Sequence, residues 1–160
     1  MTTRPNDWRA WFLLGSALGP ETKDQQEVAY RKAASLNPES ARAQNNLGQV
    51  LERQRRIEAA SDMYRQAVES QPTFRLARFN LGRMLLALGR TDEAILEFEK
   101  LKQPRDAEAP RYLFALATAY VRAGRKDEGI GWASDARTLA LAHGQSDLAA
   151  AIERELARLK

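Results

Sequence analysis

Small and apolar residues recur along the chain at intervals of about 34 residues, in four successive segments. Each segment has a leucine followed by a small residue: Leu14-Gly15, Leu47-Gly48, Leu81-Gly82 and Leu116-Ala117. A second set of mostly large residues keeps the same phase: Tyr30, Tyr64, Phe98 and Ala133. A period of this length predicts stacked helical hairpins, because so short a unit cannot bury its apolar face alone.

Within each segment, the spacing of apolar positions predicts two helices separated by Gly and Pro turn signals. The first helices are expected near 8–18, 41–54, 75–88 and 110–123. The second helices are expected near 22–36, 57–70, 91–102 and 127–142. A ninth helix near 147–159 has one apolar stripe and one charged face, which is typical of a helix that caps a repeat array. That stripe is formed by Leu148, Ile152, Leu156 and Leu159.

Residues near the predicted helix ends indicate how the helices start and stop. Thr91 and Asp127 suit N-cap positions, and Pro104 predicts that the helix starting near 91 ends early. Gly144 suits a left-handed helix stop, and Ser146 suits the next N-cap.

The recurring residues resemble the signature of the tetratricopeptide repeat (TPR) over about residues 8 to 142. The second repeat carries it most completely, as Leu47, Gly48, Leu51, Ala60, Tyr64, Ala67 and Pro72. The fourth is weaker and has no terminal proline. The resemblance implies an all-α fold, an α-solenoid with the right-handed superhelix of TPR arrays. It implies one domain over residues 1–160, with repeats about 8–40, 41–74, 75–109 and 110–143 and a capping helix over 146–159.

Proline spacing raises the question of what precedes the first repeat. Pro5 stands three residues before that repeat, as Pro38 and Pro72 stand before the second and third. We interpret Pro5 as the end of an earlier repeat, which would make the chain part of a longer array. A natural N-terminus with a short lead-in is the alternative.

Composition narrows the possible chemistry. The 160 residues are 44% hydrophobic, which is enough for a buried core, and no cysteine is present, which excludes disulfides and zinc-thiolate sites. His143 is the only histidine and adjoins the helix-ending Gly144. Because no acid–base, metal-ligand or phosphate-loop pattern converges, we expect no enzyme activity, no catalytic residue, no metal and no cofactor. With no apolar run of membrane-span length and no signal-peptide core, a cytoplasmic location is expected, or a periplasmic one for an excised fragment.

In TPR arrays the first helices line a concave face that holds the ligand, and the resemblance selects inward positions here. They include six arginines and one acid, Glu52, so the modest net charge of +4 is concentrated there. The expected peptide-binding residues are Arg42, Asn45, Asn46, Gln49, Phe79, Asn80, Arg83, Arg111, Phe114 and Arg122. Arginine forks onto carboxylates, aromatic rings anchor apolar side chains, and asparagine pairs with a peptide backbone.

The main alternatives concern these same residues. The arginines could form a solvated face with the phenylalanines partly buried, and Asn46 and Asn80 could hydrogen-bond their own scaffold. The carboxylate clamp of chaperone-binding TPR domains is matched only by Asn80, with Arg111 as a like-charge replacement, so a chaperone C-terminus is rejected as partner.

The sequence therefore predicts a non-enzymatic scaffold that binds a protein through an acidic or extended peptide. Polyanion or nucleic-acid binding by the arginine-rich groove is a less favoured alternative. A non-catalytic TPR region of a larger bacterial-type enzyme or assembly protein is another. No membrane partner is expected, and self-association through the uncapped N-terminal repeat is possible.

Overall fold

A computed structural model describes residues 7–159, and every helix or strand that it assigns within them is an α-helix, which confirms the all-α prediction. The helices are α1 Trp8–Ala17, α2 Lys23–Leu36, α3 Ala41–Arg53, α4 Ile57–Ser70, α5 Arg75–Ala87, α6 Thr91–Glu99, α7 Ala109–Arg122, α8 Lys126–Ala142 and α9 Ser146–Leu159. The boundaries predicted from the sequence are close to these, and α6 ends early as expected. Pro5, interpreted above as the end of an earlier repeat, lies outside the described residues.

The chain divides into two compact units, Met1–Met84 and Leu85–Lys160, with the division inside α5. The single TPR domain expected over residues 1–160 stays a prediction. No helix within residues 7–159 is long and apolar enough to cross a membrane. The cytoplasmic location also stays a prediction.

In the first unit, consecutive helices pack against each other from α1 to α4. In each of its two hairpins, a glycine of the first helix faces a tyrosine ring of the second. A Cβ added at Gly15 would lie 2.8 Å from the Tyr30 ring, and one added at Gly48 would lie 2.7 Å from the Tyr64 ring. The small residues of the repeat therefore stand where the two helices of a hairpin press together.

In the second unit, α6 packs against α7, α7 against α8, and α8 against α9. Its core cluster takes residues from three helices: Leu113, Ala117, Ala133, Ala136, Ile152 and Leu156. Because Ile152 and Leu156 are buried in this cluster and Leu148 packs against it, the apolar stripe predicted for α9 is confirmed. The stripe packs α9 against α7 and α8, and its role as a capping helix stays a prediction.

Four helix ends within residues 7–159 share one geometry, in which a residue with positive φ ends a helix and the next residue precedes the following helix. At the end of α5, Gly89 has φ 74°, and the Arg90 amide donates to the Leu85 carbonyl at 2.9 Å. Arg90 is also the N-cap of α6. The same arrangement follows α3, α7 and α8. The residues with positive φ there are Arg55, Gly124 and Gly144, in that order.

This design corrects the predicted N-caps. The residue after the positive-φ residue is itself the N-cap of the next helix. Thr91 is therefore already the first residue of α6, and Asp127 is the second residue of α8, whose N-cap is Arg125. Ser146 is likewise the first residue of α9. The left-handed conformation expected for Gly144 is confirmed, with φ 70°.

Candidate peptide-binding surfaces

In the first unit, α3 and the part of α5 up to Met84 carry the predicted ligand residues. Arg42 and Arg83 are exposed, and Asn46, Gln49 and Phe79 are half-buried. Asn46 and Gln49 are three apart on α3, and Phe79 and Arg83 are four apart on α5, so each pair shares a helix face. The Arg83 guanidinium carbon lies 5.9 Å from the centre of the Phe79 ring, which is within cation–π range.

Asn45 and Asn80, which the sequence predicts as ligand contacts, lie beneath this surface. Their exposed fractions are 2% and 4%. The Asn80 side-chain amide donates to the Asn45 oxygen at 3.2 Å, and the Asn45 amide donates to the Asn46 oxygen at 3.3 Å. The alternative of an asparagine bonded to its own scaffold therefore describes Asn80, and its bond to Asn45 links α5 to α3.

Arg83 is held by an acid that faces it from α3. Its Nη2 donates to Glu52 Oε1 at 2.6 Å, and the Tyr64 hydroxyl donates to Glu52 Oε2 at 3.0 Å. Burial, with the Glu52 charge beside it, raises the pKa of Tyr64 above its ordinary value, so the hydroxyl remains a donor. The ion pair fixes the Arg83 guanidinium near Phe79 and balances part of the positive charge predicted for this face.

Positive charge that Glu52 does not balance remains at both ends of α3. Arg42 is exposed in the first turn of the helix. Arg53 is exposed in the last turn and donates to the neutral Gln26 side chain of α2. The first unit thus presents two amides and an aromatic ring between cationic groups.

In the second unit, α7, α8 and α9 line a partly open cavity of about 210 Å³ whose walls are mainly apolar. It is lined by Phe114, Ala117, Thr118, Val121, Arg122, Gly129, Ala133, Glu155 and Leu159. The predicted residues Phe114 and Arg122 therefore share one cavity. Phe114 is half-buried and packs against the core cluster, whereas Arg122 is exposed and its Nη1 makes a long bond of 3.4 Å to the Leu86 carbonyl.

Arg111, the remaining predicted cation, is engaged by its own helix start. Its Nη2 lies 3.4 Å from a Glu108 carboxylate oxygen and donates to the Tyr112 hydroxyl at 3.0 Å. The Tyr112 hydroxyl donates to the other Glu108 oxygen at 2.7 Å. The three side chains form a closed local network, so Arg111, like Arg83, is paired within its own unit.

The two cavity residues that come from α9, Glu155 and Leu159, were not predicted as ligand contacts. The sequence placed Leu159 on the apolar stripe of a cap and Glu155 on its charged face. Their spacing of four residues was the available signal, because it puts both on one side of α9. The carboxylate of Glu155 therefore lines the same cavity as Arg122.

Within residues 7–159, no group of three His, Asp or Glu residues forms a candidate metal site. His143 is exposed, and its Nε2 lies 3.3 Å from the Arg105 carbonyl oxygen. That contact ties the end of α8 to the segment before α7.

Comparison with known proteins supports the repeat assignment. The sequence model of the tetratricopeptide repeat matches residues 28–62 and 51–107, which together span half of the chain. Anaphase-promoting complex subunit 3 of Schizosaccharomyces pombe is 31% identical over 103 residues, 64% of this chain and 16% of that protein. The peroxisomal targeting signal receptor of Candida albicans is 36% identical over 74 residues, 46% of this chain and 12% of that protein. This chain thus matches only a small part of either relative.

Solved structures agree with the fold. A crystal structure of MamA superposes with a TM-score of 0.79 at 22% identity, covering 89% of this chain and 83% of that one. The likeness confirms a TPR-like helical solenoid. With the sequence match over residues 28–107, the chain belongs to the tetratricopeptide repeat family.

Proposed function

We propose that this protein is a non-enzymatic scaffold that binds a partner protein through an extended peptide carrying acidic residues and one large apolar side chain. TPR repeats build protein-interaction scaffolds, a class that is generally without catalysis. One relative is by name a subunit of a complex and the other a receptor for a targeting signal. Both names fit proteins that hold other proteins.

The observation that carries the proposal is the arrangement on α3 and α5 in the first unit. The half-buried Phe79 ring lies beside the Arg83 guanidinium, which Glu52 holds in place. Asn46 keeps its amide group as a donor while its oxygen accepts from Asn45. An extended peptide needs such a combination, with an aromatic contact for a side chain, amides for its backbone and cations for its acids.

The second unit offers a separate surface of similar chemistry. Its cavity of about 210 Å³ has room for one large apolar side chain beside Phe114. Arg122 at the same cavity would attract a neighbouring acid, whereas Glu155, which also lines the cavity, would repel one. An acid next to Arg122 and away from Glu155 is therefore favoured at this surface.

Binding should be of micromolar affinity, roughly −8 kcal/mol. The apolar anchor and the charge-assisted bonds favour association, while the extended ligand loses conformational freedom on docking. Affinity should also fall with salt, because the contributing arginines are exposed.

The test uses a fluorescein-labelled 12-residue peptide containing several glutamates around one phenylalanine, titrated against the full chain by fluorescence anisotropy. Phe79→Ala and Arg42→Glu should each weaken binding about tenfold, which corresponds to about 1.4 kcal/mol. Arg65→Glu on α4 is the charge-reversal control and should change little. The same peptide with serine in place of glutamate should bind more weakly.

Equal losses for Arg42→Glu and Arg65→Glu would show that bulk charge rather than this surface attracts the peptide. The polyanion alternative predicts that heparin binds more tightly than the peptide and that Phe79→Ala leaves heparin binding intact. That result would replace the peptide with a polyanion as the ligand.

A further inference from the structure

The first hairpin exposes apolar side chains whose counterparts in the other repeats are buried. Leu14 is 39% exposed, whereas Leu47, Leu81 and Leu116, at the same repeat position, are between 0% and 2% exposed. Leu18 is half-buried, while its counterparts Leu51, Leu85 and Tyr120 are buried. The residues themselves are nearly unchanged, so the difference lies in what packs against them in the described structure.

These side chains line a groove between α1 and α2, which we call the α1–α2 groove. It has a volume of about 380 Å³ and is formed by Trp11, Leu14, Leu18, Asp24, Gln25, Val28 and Ala29. Most of that lining is apolar. Val28, on its edge, is 62% exposed.

One repeat later, a helix occupies the equivalent place. The helix α2 packs against α3, and Leu47 and Leu51 on α3 are each 1% exposed. The contact is closed by polar bonds to the turn after α3. Arg56 donates to both Glu27 oxygens at 2.9 and 3.0 Å, and Gln54 donates to Asp24 at 3.4 Å.

The interface between α2 and the second hairpin therefore shows which two properties a helix needs to bind such a groove. The apolar floor receives a helix lying along it, and the turn at its end selects the charge on that helix. At the second hairpin, the turn carries Arg53, Arg55 and Arg56, and the docked α2 presents acids to it. At the first hairpin, the turn and the start of α2 carry Glu21, Lys23 and Asp24, whose sum is negative.

We propose that the α1–α2 groove binds an amphipathic α-helix of a partner protein, docked as α2 docks on the second hairpin. The partner helix places its apolar stripe on Leu14 and Leu18 and presents basic residues to Glu21 and Asp24. At this groove, charge complementarity thus requires a helix with basic residues near the turn, whereas α2 presents acidic residues to the turn of the second hairpin.

A second copy of this chain fits the groove less well. Its α2 carries acids at the positions that would meet Glu21, and that face of α2 is already used on α3. Its terminal helix α9 exposes a charged face with Glu153, Arg154 and Arg158. Neither helix combines a free apolar stripe with basic residues at the required place.

The test compares two fluorescein-labelled peptides with the sequence of residues 22–37. Each is held helical by a hydrocarbon link between positions 31 and 35, which are exposed in α2. One peptide is unchanged and the other carries Asp24→Lys and Glu27→Lys. Titrated against the full chain by anisotropy, the lysine peptide should bind about tenfold more tightly than the unchanged one.

Variants of the full chain locate the site. Leu14→Asp should weaken binding of the lysine peptide at least tenfold, and Glu21→Lys should remove much of the preference between peptides. Leu96→Asp on α6 is the matched control, since Leu96 is 61% exposed outside this groove, and it should leave binding unchanged. Circular dichroism of each variant checks that the helices are retained.

The proposal is overturned if neither peptide binds, if both bind equally, or if Leu14→Asp and Leu96→Asp have the same effect. A wild-type chain that dimerises at high micromolar concentration, with Leu14→Asp monomeric, would assign the groove to a second copy instead. The acidic-peptide experiment is independent of these outcomes, because Phe79→Ala should not alter helix binding here.

Discussion

At the scale of single residues, the close approach of paired helices depends on the absence of one carbon atom. A Cβ at Gly48 would lie 2.7 Å from Tyr64 Cε1 and 2.9 Å from Cδ1. The Tyr64 ring cannot move far, because its side chain is fully buried and its hydroxyl is bonded to Glu52. The glycine thus determines the packing of the second hairpin.

The same substitution should have opposite effects at two helical glycines. Gly48→Ala crowds Tyr64 at a cost of about 1–3 kcal/mol, which the better helix propensity of alanine, worth about 1 kcal/mol, offsets only in part. Gly131→Ala in α8 meets no atom within 4 Å and should stabilise by about 0.4–1 kcal/mol. Urea unfolding measures both changes, and two changes of equal sign would contradict the packing argument.

A second residue-scale prediction concerns Glu27. Burial alone would raise its pKa, but hydrogen bonds from Arg31, Gln54 and Arg56 outweigh burial and lower the pKa below 4.5. A carboxyl with a lowered folded-state pKa contributes stability that is present above the unfolded pKa and is lost as pH falls through the folded one. Glu27 should therefore stabilise the protein at neutral pH and not in acid.

Glu27→Gln should accordingly reduce the free energy of unfolding at pH 7 by up to about 1 kcal/mol, a small effect because Arg31 and Arg56 are exposed. The difference from wild type should shrink as pH falls below 4.5. Urea unfolding across this range is the measurement. Glu39→Gln, at an exposed position between α2 and α3, removes a surface carboxyl elsewhere and is the control.

At the scale of helices, periodicity predicted the elements because the apolar face of each hairpin must be covered at a fixed spacing. The N-caps could not be predicted in the same way. A capping residue is recognised by its side chain, but here Arg90 and Arg125 are fixed by turns that close on Leu85 and Tyr120. Backbone geometry overrides side-chain preference when the connection is so short.

The candidate surfaces were also predictable only in part, because the repeat pattern indicates where a residue lies on its helix but not which side chain it contacts. Repeat register predicted that Arg42 and Arg83 would be exposed. It could not show that Asn80 reaches Asn45, or that Arg83 reaches Glu52, since those partners lie on another helix of the array. Pairing between helices is a property of packing, and single-sequence spacing does not encode it.

The terminal helix α9 provides the element-scale prediction. Ile152 is fully buried in the cluster that joins α7, α8 and α9. Ile152→Ala should cost about 2–5 kcal/mol, because it removes apolar contacts and leaves a cavity. Arg154→Ala on the exposed face should change stability by less than about 0.5 kcal/mol. Thermal or urea unfolding compares the two, and a mild effect at Ile152 would mean that α9 contributes little to the second unit.

At the scale of the whole molecule, stability in a repeat protein is the sum of each repeat and its interfaces with its neighbours. A helix with a covered face on both sides should therefore be more protected than one covered on a single side. The helix α1 buries only Gly15, whereas α3 buries Leu47, Val50, Leu51 and five other residues. Because one side of α1 is not covered by another helix, Leu14 is exposed and we expect the amides of α1 to be weakly protected from hydrogen exchange.

Amide hydrogen exchange should resolve this gradient along the chain. We expect the amides of α1 to exchange fastest among the helices and those of α3 to be among the slowest, since local opening of α1 exposes little new apolar surface. Covering the α1–α2 groove with the cross-linked lysine peptide should then slow exchange in α1 and α2 while leaving α8 and α9 unchanged. If α1 proved to be the slowest helix without any added peptide, the nearest-neighbour account of this array would be wrong, because a helix packed on one side only would be the most stable element of the protein.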